Sequence, residues 1–501
     1  MPNAGPDATS GTDVVVVGAG PVGLLLAGEL ALRGVAVTVL ERLAAPTGES
    51  RATHLNARTM ELLDQRGLGE RFGAVRAEPG THFGGIPVDL TGLPSHRRGL
   101  WPVPQPRVEA VLADWTRELG VDVRRGYAVR ALTATASGVE VSGDGFTVQA
   151  RYLVGCDGEE STVRELAGFE LAGSAATRVL YRADLDADLP ERRLRQYPGG
   201  LATAARRGDG TTRIMVHEFG GPSRRGARTP GFATVAAAWQ RVTGEDIGAA
   251  HARWLDAFDD AALQATRYRI GRVLLAGDAA HVQMPVGGQA INLGLQDAVN
   301  LGWKLAARLR GTAAADLLDT YHDERHPAAA RVLRLVTAQA ALLFGGAAVG
   351  PLRTVLGELI AEPRAGAHLA SALSGLDERH PPGGGDPLLG GRIPHVRVHT
   401  GSGPSDTTAL LRTGRGVLLD LGGGDRFATE VAGWTGRVDL HRVRVSGPLA
   451  AVDALLVRPD GHIAWTSNGP EALPTSLHRW FGAPDRHRTT AHHRPLTRET
   501  A

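Results

Sequence analysis

One short pattern near the start of the chain restricts its fold more than any other feature. A β-branched run, DVVVV (13–17), leads into the glycine-rich turn GAGPVG (18–23). An apolar segment then ends near Gly34, and a second run, VAVTVLE, ends at Glu41. Short apolar runs of this kind predict buried parallel strands, and the segment between them predicts a connecting helix. The sequence therefore predicts a βαβ unit and an α/β fold.

The three glycines of the turn each meet a separate steric demand. Gly18 permits a tight turn, Gly20 lets the backbone approach a pyrophosphate, and Gly23 lets helix and strand pack closely. The helix N-terminus offers free N–H groups to phosphate, and Glu41 offers a carboxylate to ribose hydroxyls. In this context the pattern predicts dinucleotide binding. The alternative is a glycine-rich turn in an unrelated α/β domain.

Two later segments indicate that the nucleotide is a flavin. The strand-like RVLLAGD (272–278) ends in Gly277-Asp278, and a glycine-rich loop with Gly287-Gly288 leads into a long helix. Asp278 can bind ribityl hydroxyls, or alternatively cap the next turn. The helix N-terminus can stabilise negative charge at the flavin N1/O2 edge. A further turn, Asp157-Gly158, precedes a helix that carries Arg164.

Composition excludes other classes of protein. The chain has 501 residues, 43% apolar and 22% charged, which is typical of a globular protein of two to four domains. The formal net charge is +2, and no long run of Lys or Arg forms a nucleic-acid-binding stripe. Lys304 is the only lysine among 55 Lys and Arg residues, which fits the codon bias of a GC-rich genome.

The compartment follows from the cysteine count and the apolar stretches. Cys156 is the only cysteine, so an intrachain disulfide is impossible and no zinc-binding pattern exists. The first residues lack a basic, apolar leader, and neither Val14–Gly28 nor Leu335–Leu352 predicts a membrane span. We therefore expect a cytoplasmic protein with no membrane partner, no nucleic-acid partner and no metal site.

These motifs together resemble a known family. GAGPVG (18–23), CDG (156–158) and GD (277–278) are similar, in order, to the three fingerprints of the single-component FAD-dependent aromatic hydroxylases, the para-hydroxybenzoate hydroxylase family. Longer segments, such as GRVLLAGDAAHVQMPVGGQ (271–289) and LLVRPDGHIAW (455–465), resemble the aromatic polyketide hydroxylases, especially those of angucyclinones. The resemblance covers nearly the whole chain.

The resemblance implies FAD as cofactor and places its contacts by position. Glu41 with Arg42 would bind the adenosine ribose, Asp278 the ribityl chain or pyrophosphate, and Asp157 belongs to a motif tied to both FAD and NADPH. The flavin ring would lie against residues 285–292. The complete implied set is Gly18, Gly20, Pro21, Val22, Gly23, Glu41, Arg42, Arg51, Gln105, Val129, Asp157, Gly277, Asp278, Pro285, Gly287, Gly288, Ala290, Ile291 and Asn292.

One position in the flavin loop departs from the family. Relatives commonly have GGQGMN where this chain has GGQAIN (287–292), so Ala290 replaces a glycine. The added methyl group would bias the mobility of the flavin or shift the substrate by its own width. Neutral drift is the alternative.

The implied reaction is a monooxygenation. NADPH reduces FAD, the reduced flavin and O2 form a C4a-hydroperoxide, and its distal oxygen is transferred to a phenolic ring carbon of a polycyclic aromatic polyketide, with water as by-product. The alternatives are Baeyer–Villiger oxidation or epoxidation of a similar substrate, and a non-catalytic flavoprotein. Such a substrate predicts an apolar pocket. Phe83, Gly84, Gly85 and Pro285 are the candidates for its wall.

The sequence identifies no catalytic base. A phenol reacts better as phenolate, so a base or proton relay would help. His54, His82, His217 and His281 are candidates by residue type alone.

The family also implies the domain order. An FAD-binding, Rossmann-like domain of the para-hydroxybenzoate hydroxylase type would span 1–175 and 268–387, interrupted by a β-rich substrate domain at 176–267. A thioredoxin-like domain would occupy 388–501. It contains no cysteine and cannot perform disulfide chemistry, so we expect it to have a structural role or to form a dimer contact. The protein as a whole would be a monomer or a homodimer. Helices are expected through 303–311 and 329–344, a surface loop at Gly220–Pro230 and a frayed end from Arg486.

Overall fold

The computed structural model describes residues 10–48, 51–223, 230–380, 386–422, 426–445 and 447–485. The expected loop at Gly220–Pro230 lies partly outside these residues, and the end from Arg486 lies wholly outside them. The chain divides into two compact units. Unit 1 comprises Met1–Trp303 with Asp319–Glu378, and unit 2 comprises Lys304–Leu318 with Arg379–Ala501. The predicted domain boundaries at 175, 267 and 387 remain predictions.

Unit 1 contains most of the strands and helices. Its strands are β1 (Ser10–Val17), β2 (Val37–Glu41), β3 (Gly80–Phe83), β4 (Ile86–Asp89), β5 (Asp122–Arg125), β6 (Ala131–Ala134), β7 (Val139–Gly143), β8 (Phe146–Gly155), β9 (Leu171–Ser174), β10 (Val179–Asp186), β11 (Arg192–Tyr197), β12 (Gly200–Arg206), β13 (Thr212–Glu218), β14 (His251–Asp259), β15 (Ala262–Ala265), β16 (Arg269–Ile270), β17 (Val273–Leu275) and β18 (His281–Gln283). Its helices are α1 (Pro21–Ala31), α2 (Ala57–Asp64), α3 (Gln105–Glu118), α4 (Thr162–Leu166), α5 (Phe232–Thr243), α6 (Gln289–Leu309, which continues into unit 2), α7 (Thr320–Phe344), α8 (Gly350–Ala361) and α9 (Pro363–Leu373).

A parallel sheet in the order β17-β8-β1-β2-β5 forms the core of unit 1. Its central strand β1 is covered on both faces, and Val14, Val15 and Val16 have no exposed surface. The predicted βαβ unit is therefore confirmed. Helix α1 ends at Ala31, slightly before the expected end, and Gly34 adopts φ +69 in the turn that follows.

The antiparallel strands expected after residue 176 are also present. They form a five-stranded sheet in the order β11-β12-β13-β10-β14. Helix α5 packs on it through Val235 and Trp239, which are fully buried with Ile214 of β13. Strands β18, β15 and β9 form a separate three-stranded sheet.

Helix α7 extends beyond the segment that the sequence indicated. It begins at Thr320 rather than near 329 and continues through Pro327. By length and composition this is the one described helix that is apolar enough to cross a membrane, a test that core helices of soluble proteins also pass. Its first turns are fixed in unit 1, since the Tyr321 hydroxyl donates to the Leu275 carbonyl at 2.7 Å.

Unit 2 has the topology expected of a thioredoxin-like domain. Its elements are β19 (Arg397–Thr400), β20 (Gly403–Asp406), β21 (Gly416–Asp420), α10 (Arg426–Val431), β22 (Val438–Arg442), β23 (Ala454–Val457), β24 (Ile463–Thr466) and α11 (Leu473–Phe481). The sheet order is β22-β21-β23-β24, with β21 and β22 parallel around α10 and with β23 and β24 antiparallel before α11. Lys304 lies in this unit and is fully buried.

Candidate cofactor and substrate site

The glycine turn after β1 has the geometry expected for binding a phosphate. Gly18 has φ +105, and a Cβ there would lie 2.4 Å from the Cys156 carbonyl oxygen. A Cβ on Gly23 would lie 2.0 Å from the Gly18 oxygen, so α1 packs directly on the turn. A Cβ on Gly20 would meet nothing within 4 Å. Backbone at Gly20 is thus open to a ligand, and Pro21 begins the helix at the position where a missing N–H costs least.

Glu41, at the end of β2, fixes the far side of this turn. Its Oε2 accepts from the Ala19 N–H at 2.8 Å, and its Oε1 accepts from the Leu43 N–H at 2.9 Å. The carboxylate therefore lies beside the turn, where a ribose would follow the pyrophosphate. Arg42 is exposed next to it.

Gln105 and Val129 support the strand side of the site. Gln105 exchanges hydrogen bonds with Ala52: the Ala52 N–H donates to its Oε1 at 3.2 Å and its own N–H donates to the Ala52 carbonyl at 2.9 Å. This pair places the neighbouring Arg51, whose carbonyl accepts from Arg182 at 3.3 Å. Val129 is buried between β5 and β6.

The Gly277-Asp278 turn meets the phosphate turn directly. Gly277 has φ +64, and a Cβ there would lie 3.0 Å from a methyl group of Val22. Asp278 is solvent-exposed, yet protein surrounds it closely enough that partial desolvation raises the pKa of its carboxyl, with the charge of His281 acting in the opposite sense. This combination is expected of an accessible carboxylate that protein atoms surround on several sides.

A cluster of buried charged side chains, centred on Asp297, stabilises the Gly277-Asp278 turn. Asp297 of α6 accepts from the Gly277 N–H at 3.2 Å and from His281 Nε2 at 2.8 Å. Its second oxygen accepts from Arg325 Nε at 2.7 Å, and Arg325 also pairs with Glu378. Burial raises the pKa of Asp297, but the charges of Arg325 and His281 outweigh it and hold that pKa below its usual value.

Asp157 is engaged locally as a cap for α4. Its oxygens accept from the Ser161 hydroxyl at 2.6 Å and from the Val163 N–H at 3.0 Å, and burial raises the pKa of its carboxyl. Arg164 of α4 donates to the carbonyls of Ala279 at 3.1 Å and of Glu159 at 2.7 Å. Arg164 therefore connects the segment after the CDG motif (156–158) to the residue that follows the GD motif (277–278).

The loop before α6 carries the expected flavin-ring residues. Gly287 and Gly288 both have φ +66, and α6 begins at Gln289. Asn292 Nδ2 donates to the Gly288 carbonyl at 2.7 Å, and its Oδ1 accepts from the Asn56 N–H at 2.9 Å. Other predicted contacts differ in exposure: Pro285 is exposed, Ala290 half-buried and Ile291 buried.

The predicted substrate wall is a tight hairpin. Gly84 (φ +56) and Gly85 (φ +84) form the two-residue turn between β3 and β4, where positive φ favours glycine. Phe83 is 7% exposed and belongs to an apolar cluster with Leu342 and Leu373. The strand end at Phe83 is therefore packed in an apolar cluster, and the turn next to it consists of two glycines.

The four candidate histidines lie in different surroundings. His281 is fully buried on Asp297, and His217 is buried with Nδ1 2.9 Å from the Val179 carbonyl oxygen. Burial lowers the pKa of His217, and partial desolvation lowers the pKa of His82, which is exposed on β3. His54 is half-buried and close to Glu78. Among the described residues, no group of His, Cys, Asp or Glu side chains could hold a metal ion.

The recess fits FAD. An open glycine at a helix N-terminus suits a pyrophosphate, Glu41 suits a ribose, Asp278 suits ribityl hydroxyls, and a second helix N-terminus follows Gly287. The sequence interpretation did not identify Asp297, Arg325 or Gln339 as parts of this region. A signal existed for Asp297, which lies in the family-like segment LQDAVNLGWKLA (295–306).

Comparison with known proteins decides the family. Residues 11–336 match the FAD binding domain, and residues 386–484 match the aromatic-ring hydroxylase C-terminal domain. The chain is an FAD-dependent aromatic-ring hydroxylase.

Several named proteins resemble this hydroxylase over nearly its full length. The 12-dehydrotetracycline 5-monooxygenase/anhydrotetracycline 6-monooxygenase of Streptomyces rimosus subsp. rimosus is 43% identical, over 94% of this chain and 99% of its own. The structure of BexE, studied for oxidation during BE-7585A biosynthesis, is 49% identical with a TM-score of 0.92, over 95% of this chain and all of its own. CabE, an aromatic hydroxylase from angucycline biosynthesis, is 47% identical with the same TM-score and coverage. The predicted family and fold class are confirmed.

Proposed function

We propose that this hydroxylase transfers one oxygen atom from O2 to a ring carbon of a polycyclic aromatic polyketide, with NADPH as reductant. The balance is ring C–H, NADPH, H⁺ and O2 giving ring C–OH, NADP⁺ and water. One observation carries the proposal: the Gly287 loop, expected to contact the flavin, and the apolar hairpin at Gly84-Gly85 lie next to the same buried glutamine, Gln339. One named relative is a monooxygenase of 12-dehydrotetracycline and anhydrotetracycline and another is an aromatic hydroxylase from angucycline biosynthesis, which supports this substrate class.

Bound FAD supplies the electron transfer and the oxygen activation. The chain supplies position and electrostatics. Gly20 and the start of α1 would hold the pyrophosphate, Glu41 the ribose and Asp278 the ribityl chain, while the N-terminus of α6 would stabilise negative charge at the flavin ring. Buried apolar residues around the flavin loop, such as Met284, Val286 and Phe344, exclude water from the reacting atoms.

The test is NADPH oxidation by the FAD-loaded protein with and without a tetracyclic phenol, followed by mass and NMR analysis of the product. We expect substrate-accelerated oxidation and a product that gains one oxygen as a ring hydroxyl. A lactone or an epoxide would favour the alternative oxygenations. A purified protein that takes up no flavin, or that oxidises NADPH without altering any such substrate, would contradict the proposal.

We also propose NADPH as reductant, with NADH as the alternative, a cytoplasmic location and a monomeric or homodimeric state. The lone Cys156, which rules out an intrachain disulfide, supports a reducing compartment. Parallel assays with both nucleotides test the reductant, and light scattering after size exclusion tests the oligomeric state.

A further inference from the structure

Gln339 of α7 occupies an unusual place between the flavin loop and the substrate hairpin. Its side chain has no exposed surface. Its Oε1 accepts from the Gly84 N–H at 3.3 Å, while its buried Nε2 has no hydrogen-bond partner among the described residues. A Cβ built on Gly287 would lie 3.3 Å from Oε1 and 3.4 Å from Nε2. One amide group therefore bonds to the hairpin and lies beside the loop, in the space that a side chain at residue 287 would enter.

The hairpin side of this contact is tightly confined. A Cβ on Gly84 would lie 2.7 Å from Leu342 Cβ, so the turn packs directly on α7. The Gly84 carbonyl accepts from Arg353 of α8 at 2.7 Å, and the same guanidinium donates to the Leu342 carbonyl at 3.1 Å. Both backbone groups of Gly84 are therefore hydrogen-bonded, the carbonyl to Arg353 and the N–H to Gln339. Gln339 is the partner that also lies beside the flavin loop.

The flavin side is held more loosely. The Gly287 carbonyl accepts from Gln289 Nε2 at 3.2 Å, and Gly287 has φ +66. The Gln339 amide lies beside this glycine, and its Nε2 has no hydrogen-bond partner among the described residues. A buried donor without a partner costs free energy, so a partner gained in another state of the protein would stabilise that state. The loop expected to contact the flavin is the group next to it.

We propose that Gln339 is a positioning residue that transmits flavin binding at the Gly287 loop to the Gly84 turn. When the flavin settles against the loop, the amide restrains the hairpin that forms the substrate wall. The inference rests on the proposed function, because it takes the Gly287 loop as a flavin contact. It goes further by connecting cofactor occupancy to the shape of the substrate pocket.

Hydrogen exchange of peptides covering 80–89 tests this without any turnover. In the wild-type chain we expect FAD to slow exchange of the Gly84 amide by about fivefold or more, since its bond to Gln339 becomes more persistent. Gln339→Met removes both polar atoms at similar volume and should abolish this response while FAD uptake is retained. The matched control is Thr337→Ala, on the exposed face of the same helix, which should respond as the wild type does.

A second variant separates the two atoms. At a pH where the introduced carboxyl is ionised, Gln339→Glu keeps an acceptor for Gly84 but lacks the donor near Gly287, so the apo protection should survive and the FAD response should be lost. In turnover, both variants should release more peroxide per NADPH, with a larger effect on product yield than on the NADPH oxidation rate. An FAD response in Gln339→Met equal to that of the wild type would overturn the inference.

The outcomes also distinguish this inference from the proposed function. A wild-type FAD response at Gly84 without any oxygenated product contradicts the proposed function alone. Oxygenated product together with an unchanged response in both Gln339 variants contradicts the inference alone. If Gln339→Met fails to fold, Gln339→Glu provides the same comparison.

Discussion

At the scale of single residues, a methyl group should have opposite consequences at two glycines of one turn. A Cβ at Gly20 enters open space and the residue has φ −74, so Gly20→Ala should leave the melting temperature of the apo protein nearly unchanged. The methyl would then occupy the space of the pyrophosphate, and FAD affinity should fall at least about tenfold, or about 1.4 kcal/mol.

The matched variant Gly23→Ala should already destabilise the protein in the absence of FAD. Its Cβ would lie 2.0 Å from the Gly18 oxygen, so α1 must move away from the turn and the apo protein should already be destabilised. Apo melting temperatures and FAD titration of both variants provide the measurement. Equal loss of apo stability in the two variants would show that Gly20 is not an open ligand position.

Asp278 gives a second residue-scale prediction. Asp278→Ala should cost flavin occupancy, because the ribityl chain loses a charged acceptor, worth about 1.5–3 kcal/mol for a hydrogen bond of this type. The ratio of flavin to protein absorbance after desalting measures this. Asp144→Ala, at an exposed carboxylate elsewhere in unit 1, should retain full flavin. Full FAD content in Asp278→Ala would mean that the ribityl contact lies elsewhere.

The residues of the phosphate turn could be predicted because their roles are local. Gly18 takes a positive φ in the turn and Gly23 packs on the Gly18 oxygen, and both demands arise within a few positions of the chain, so that spacing alone reveals them. Gln339 could not be predicted in this way. Its neighbours Gly84 and Gly287 are brought to it by three separate elements, and a lone glutamine in an apolar helix carries no signal of that contact.

At the scale of elements, the Gly277-Asp278 turn depends on charges supplied by α6 and α7. Asp297→Asn keeps the shape of the side chain but removes the charge that compensates Arg325, so we expect about 3 kcal/mol of lost stability near neutral pH. FAD affinity should also fall, because the Gly277 N–H bonds to a weaker acceptor.

The pH dependence of this loss has a definite sign. The folded pKa of Asp297 lies below that of an unfolded aspartate, about 3.9, so its contribution is present above that value and is lost as pH falls through the folded pKa. Urea unfolding of wild type and variant should therefore show a difference near neutral pH that shrinks below about pH 4. A difference that grew in acid would contradict this account.

Helix α7 contains a proline at which the sequence pattern predicts a helix boundary. Proline inside a helix removes one backbone hydrogen bond and predicts a boundary, yet α7 passes through Pro327. The turns before it are retained because Tyr321 and Arg325 bond to β17 and α6. Such contacts come from distant parts of the sequence, so local propensity could not have predicted them.

At the scale of the whole molecule, all the predicted FAD contacts fall in unit 1. A ligand that binds only the native state stabilises it by mass action, by about 2.7 kcal/mol at a hundredfold excess over Kd. We expect FAD to slow limited proteolysis at sites within unit 1 and to leave cleavage within unit 2 unchanged, as read by mass spectrometry of the fragments. Equal protection of both units would mean that unit 2 contributes to the cofactor site.

The burial of Lys304 has a practical consequence for surface chemistry. It carries the only ε-amine of the chain and has no exposed surface, whereas the other cationic side chains are all arginine. Amine-reactive esters that would carry a dye, a tether or a solid support should therefore leave the Lys304 side chain of the native protein unmodified. Attachment of a label at Lys304 in the folded protein would show that its ε-amine becomes accessible.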